Sequence, residues 1–107
     1  MKWLTVDMIK KNSRIDGDTE DSIIDLYGES AEQQVLNDTM RTHEELVEMG
    51  GGKVPAPIVH ASLMLADFAY RQKSPADNLN WSVVPYTYER LIKPYIRLAN
   101  RTDNETE

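Results

Sequence analysis

A chain of 107 residues, 40% hydrophobic and 28% charged, has the composition of one globular domain and too few residues for a second core. The absence of cysteine excludes a disulfide-stapled scaffold, a zinc finger and a thiol nucleophile. The net charge of −6 is unevenly placed, at +3 over residues 1–15, −10 over 16–50, +3 over 51–100 and −2 over 101–107, and so large an acidic block disfavours a surface that grips duplex DNA.

The apolar run Trp3 to Val6 is cut by Asp7, so it does not make a signal peptide. The longest stretch free of Asp, Glu, Lys and Arg is Val54 to Ala66, short of the ~20 residues that cross a bilayer. A soluble, intracellularly made protein is expected. Thr5 caps a brief first helix through Lys11, with Asp7 at the positive end of its dipole. Asn12, Ser13, Asp16 and Gly17 then read as a turn. The basic residues Lys10, Lys11 and Arg14 near this turn read as a solvated face.

An acidic amphipathic helix follows over about 19–40, capped by Asp18 or Thr19, with Glu20 and Asp21 in its first turn. Ile24, Tyr27, Ala31 and Val35, joined by Ile23 and Leu36, form its apolar stripe. Gly28 lies inside this helix at a cost of about 1 kcal/mol relative to alanine, which implies the close approach of another backbone. Arg41 falls where a cation favours a helix C-terminus. Thr42-His43-Glu44-Glu45 has the T-x-x-E spacing of a capping box, and Gly50-Gly51-Gly52 ends the third helix. Whether the second and third helices are continuous stays open.

Pro57 suits the first turn of a central helix over about 57–72, where its missing N–H costs nothing. Ile58 to Tyr70 leaves little polar face, the mark of a helix packed on several sides. Arg71 and Lys73 close it, and Pro75 prevents continuation. A long loop over about 74–84 carries Trp81, with Val83 and Val84 as an extended pair. Pro85 opens a fifth helix containing Tyr88, Leu91 and Ile92, and Pro94 ends or kinks it. Asn100 to Glu107 lacks apolar side chains, and residues 99–107 read as a frayed tail on a helical domain spanning 1–98. The expected class is all-α, a compact bundle of about four to five helices.

Motifs for catalysis fail one after another. A zinc protease needs H-E-x-x-H, but His43-Glu44 is followed by Val47 at the required position. Di-iron bundles need Glu-x-x-His pairs, and Met40 and Pro57 stand three before the two histidines. His60 reads as a hydrogen-bonded core residue and His43 as an exposed residue near a cap. Gly50-Gly51-Gly52-Lys53 departs from the phosphate-loop pattern, because valine occupies both 47 and 54. Glu44 and Glu48 lie one turn apart in an exposed acidic region, where nothing separates their pKa values. No catalytic residue, metal site or cofactor is expected. A helix-turn-helix reader of DNA is disfavoured too, since the best turn precedes a strongly acidic helix.

Three blocks in order carry a resemblance. The first is Leu4-Thr5, Lys10, Arg14-Ile15-Asp16, then Glu20-Asp21-Ser22-Ile23-Ile24 and Ala31. The second is Val54-Pro55, Ile58, Ala61-Ser62-Leu63-Met64-Leu65-Ala66 and Tyr70-Arg71. The third is Val84-Pro85-Tyr86 and Leu91-Ile92-Lys93-Pro94-Tyr95-Ile96-Arg97. Together, over about residues 3–97, they resemble the small head–tail connector proteins of tailed bacteriophages, often described as possible DNA-packaging proteins. The chain departs from that pattern where Ile96 separates Pro94-Tyr95 from Arg97, at Gly28, and in the three-glycine segment Thr42–Gly52.

The resemblance implies an all-helical, non-catalytic subunit at the virion head–tail junction. It would form a ring of about a dozen copies below the portal protein, meet tail-side adaptor proteins, and extend a channel that passes DNA without binding it. In that setting Trp3, Trp81, Tyr86 and Tyr95 are candidate anchors for the oligomer or portal interface. Each is equally readable as a plug in the chain's own core. Asp25, Glu29 and Glu32 are candidates for an acidic face turned to the channel or to a basic neighbour. The alternative reading is a small helical interaction module or dimeric regulator.

Overall fold

The computed structural model describes residues 1–72 and 83–97. Among these it has five α-helices, a 3-10 turn and no strand: α1 (Val6–Ser13), α2 (Asp21–Thr39), α3 (His43–Met49), α4 (Ala56–Arg71), α5 (Val83–Ile92) and a 3-10 turn at Lys93–Tyr95. The all-α class is as expected. The expected loop over 74–84 and the tail over 99–107 lie largely or wholly outside the described residues, and Trp81 with them.

Local chemistry sets most helix ends. The Thr5 hydroxyl accepts from the Met8 amide at 3.1 Å and starts α1. That helix runs two residues past Lys11, because the left-handed residue that stops it is Arg14 (φ 58°), whose N–H closes on the Lys10 carbonyl. The start of α2 is later than expected. Glu20 is its N-cap and makes no side-chain cap bond. Asp18 is drawn instead to Lys10, 3.1 Å from its Nζ, with Asp21 at 2.9 Å on the same ammonium. Carboxylates near this helix start thus fasten α1 to α2.

Met40, at φ 58°, ends α2 and makes α3 a separate helix. Arg41 therefore lies beyond the helix end and donates from Nε to the Tyr95 carbonyl at 2.6 Å. The capping box forms as expected, with Glu45 N–H to Thr42 Oγ1 at 3.1 Å and Thr42 N–H to Glu45 Oε1 at 2.8 Å. Gly50 caps the far end, and Gly51 and Gly52 adopt φ of 73° and 120°, which disfavour any side chain. Pro55 is the N-cap of α4, and Pro57 sits in its first turn. Val83 and Val84 are helical rather than extended, so α5 starts ahead of Pro85. The proline still falls in the first turn, where its lack of an N–H leaves no intrahelical bond unmade.

α4 lies between α2 and α5, and α1 packs on both α2 and α4. Ile24, Ala31 and Val35 of the expected α2 stripe are buried, opposite Ile58, Ala61 and Ala66 of α4. One cluster centres on Val35, Leu46, Ile58, Tyr88 and Ile92, and a second on Leu4, Ile9, Ile24 and Ala66. Trp3, Val59 and Leu65 pack against both. Leu46 of the three-glycine segment is fully buried, so this departure from the connector pattern still supplies core.

Two core expectations are corrected. His60 is exposed, because Ile58, Ala61 and Ser62 turn the buried face of α4 elsewhere. Gly28 faces side chains rather than a backbone: a Cβ there would stand 2.2 Å from Met1 Sδ and 2.8 Å from Ile9 Cδ1.

Both ends of the described chain are tied down by polar groups. Buried Glu32 accepts from the backbone amides of Lys2, Trp3 and Leu4 at 2.7, 2.8 and 2.7 Å. At the other end the Arg97 amide donates to the Thr39 carbonyl at 2.9 Å, its Nε to the Met40 carbonyl at 2.9 Å, and its guanidinium pairs with Glu45. The Arg97 guanidinium, followed by the Thr42 amide, holds the Glu45 carboxyl below the usual carboxylate range.

Glu32→Ala is expected to cost about 3 kcal/mol by stranding three amides, and Glu32→Gln less, read by urea unfolding. Glu45 stabilises the fold above its unfolded pKa, and that contribution is lost as pH falls through its lowered folded value. Thermal unfolding followed from neutral to acidic pH should therefore show a decline in Tm that Glu45→Gln flattens.

Candidate functional site

The described surface has two concave features. Helices α2, α4 and α5 enclose an open groove of about 740 Å³. Leu65, Phe68 and Ala69 of α4, with Ile92 and Ile96, supply apolar lining, while Tyr27, Ser30, Gln34 and Asp38 of α2 and Glu89 and Lys93 supply polar groups. Tyr88 reaches across it to donate from its hydroxyl to Asp38 Oδ2 at 2.7 Å. Burial, then the hydrogen bond to this carboxylate, pushes the Tyr88 phenol far above its ordinary pKa, so it stays a neutral donor. A shallower recess of about 540 Å³ lies at the α2–α3 turn, bordered by Lys2, Arg41, His43, Glu44 and Arg97.

The three aromatic candidates among the described residues do not share one surface. Trp3 is half-buried, its indole N–H donating to Ser62 Oγ at 2.9 Å, and its ring stacks on His43 with centroids 5.9 Å apart. Ser62 passes the bond on to the Ile58 carbonyl at 2.8 Å, which satisfies a fully buried hydroxyl. His43 is thus half-buried against Trp3, not simply exposed. Tyr95 is half-buried and packs against the core. Tyr86 is the outward-facing member, 63% exposed, with the Arg90 guanidinium 5.7 Å from its ring centroid. Trp81 lies outside the described residues.

The three acidic candidates also part company. Asp25 and Glu29 are exposed, and Glu29 receives the Met1 amine at 3.1 Å. Glu32 is 4% exposed, because it points inward to the three N-terminal amides and so cannot share an outer face with the other two. The basic trio near the first turn is divided as well. Lys10 is engaged by Asp18 and Asp21, while Lys11 pairs with Asp7 at 3.4 Å.

Reading the sequence for motifs misses the groove, since its lining comes from three segments and Tyr27, Phe68 and Tyr88 look like ordinary core positions. The only sequence sign is that α4 is apolar over more of its circumference than two neighbours cover. Among the described residues no group of three or more His, Asp or Glu side chains is placed to hold a metal ion. No described helix is long and apolar enough to cross a membrane.

Comparison with known proteins adds the family. No curated protein and no solved structure matches the chain. The family model described as phage gp6-like head-tail connector protein matches residues 4–96, a span that begins at the Glu32-anchored Leu4, takes in all five helices and closes beside Arg97. By that match the chain belongs to the phage gp6-like head-tail connector family.

Proposed function

We propose that the protein is a non-catalytic structural subunit of a phage or prophage virion. It assembles as a ring beneath the portal protein at the head–tail junction and extends the channel through which packaged DNA passes. The observation that carries this reading is the family match, which runs through every described helix rather than one short motif. Its partners are further copies of itself, the portal on the head side and tail adaptors on the other, and it uses no cofactor.

The charge distribution supports a conduit that lets DNA slide. Exposed carboxylates of the acidic block, among them Asp16, Asp18, Asp25, Glu44 and Glu48, repel phosphate over a screening distance of ~8–10 Å. A wall that attracted phosphate would hold the genome in place. The well-anchored bundle supports the same reading, since a ring subunit must present fixed surfaces to its neighbours.

Native mass spectrometry over a wide concentration range tests assembly, and a closed ring of roughly a dozen copies is expected. A constant dimer would instead identify a dimeric interaction module. In the producing phage, deletion of the gene is expected to leave heads that package DNA but neither retain it nor join tails, seen by electron microscopy. Normal tailed particles from the deletion would overturn the connector role.

A further inference from the structure

Two exposed edges of the bundle differ in chemistry. On α2, Leu26 is 57% exposed and Ile23 36%, on the side turned from buried Ile24, Gly28 and Val35. On α5, Tyr86 projects away from buried Tyr88 and Ile92, and its hydroxyl accepts from Arg90 at 3.1 Å. Because α4 lies between α2 and α5, these edges belong to different outer helices of the bundle. Single exposed apolar residues are ordinary on any surface. Their charged surroundings are what pair them. Exposed Asp25 and Glu29 flank Leu26 on α2, whereas exposed Arg90 lies beside Tyr86 on α5 and exposed Lys93, in the 3-10 turn that follows, stands with Glu89 on the groove side.

We propose that the two edges meet head to tail between neighbouring copies: Tyr86 and Arg90 of one subunit pack on Ile23, Leu26 and the Asp25–Glu29 carboxylates of the next. This rests on the ring reading above and names the contact that closes the ring. A cyclic assembly needs two different, complementary patches, and the α2 and α5 edges supply them. Tyrosine and arginine are the residue types that most often anchor interfaces. Arg90 already braces the Tyr86 ring, so less side-chain freedom is lost on docking. Opposite charges fix the register and disfavour pairing α2 with α2. Two groups temper the charge match without reversing it. The Met1 amine shares Glu29, whose side chain is still 55% exposed, and Glu89 lies on the groove side of α5.

The chain has no cysteine, so Leu26→Cys and Tyr86→Cys each introduce a single thiol. An equal mixture of the two variants, treated with a short bismaleimide, should give dimers containing one of each, while either variant alone should give none. The double variant should give a ladder ending at the ring. In parallel, Arg90→Glu should raise the protein concentration needed for half-assembly roughly tenfold, and adding Glu29→Arg should restore it. Circular dichroism checks that these exposed substitutions leave helicity unchanged.

A ring seen by native mass spectrometry without the mixed cross-link would overturn the edge assignment and leave the ring reading standing. Cross-linking of Tyr86→Cys to itself would also overturn it, in favour of a two-fold contact. Failure of Glu29→Arg to restore assembly to Arg90→Glu would remove the charge pairing. A monomer at every concentration with no cross-link would overturn both the contact and the ring reading.

Discussion

The Glu32 carboxylate is the interaction on which the N-terminal half of the structure depends. One charged side chain on α2, buried almost completely, satisfies three consecutive backbone amides of a segment that has no secondary structure of its own. Buried amides need partners, and an ionised carboxylate is the strongest acceptor a protein offers them. Fixing Lys2 to Leu4 places Trp3 where it packs against both hydrophobic clusters. It also seats Met1 over Gly28, in space that any larger residue at 28 would take. An isolated acidic group in a core is costly, so the anchor works because its acceptor capacity is so fully used.

A second set of polar ties does for α4, α5 and the chain's far end what Glu32 does for its start. Ser13 donates to Asp67 at 2.5 Å, and Arg71 donates both to Asp67 and to the Ser13 carbonyl, joining α1 to α4. Tyr70 reaches Glu20 at 2.7 Å, and Tyr88 reaches Asp38 at the same distance, joining α4 and α5 to α2. Arg97 then binds the α2–α3 turn through backbone and side chain together. Helices that share only apolar faces can slide, whereas hydrogen bonds at defined positions fix their register. In the proposed ring such fixed register would matter, because a small angular error per copy prevents closure.

Membership of the connector family accounts for the absence of catalytic motifs more simply than a degenerate active site would. Selection on such a protein acts on shape, surface charge and two-sided complementarity. None of these needs a short conserved string of reactive residues. The groove between α2, α4 and α5 is built from residues distant in the chain.

By itself the sequence determined the helical class, the capping box at Thr42, the glycine stop at Gly50, the central place of α4 and the buried Ile24, Ala31 and Val35 of α2, while Ile23 of the expected stripe is exposed. These follow from short-range rules, namely hydrophobic spacing, capping geometry and the constraints on proline and glycine. The ordered blocks from Leu4 to Arg97 also made the family legible. Tertiary structure decided the rest, wherever a side chain had two good uses. Asp18 was a credible cap, but the Lys10 ammonium lies within its reach once α1 folds back on α2. Glu32 read as one more surface acid until the N-terminal segment crossed it. His60 read as core because its helix is apolar, yet two residues past buried Ile58 the helical rotation turns it outward. Charge and polarity are visible in a sequence, but which partner a group meets depends on contacts that run from eight to nearly sixty residues along the chain, and these exist only after the helices have packed.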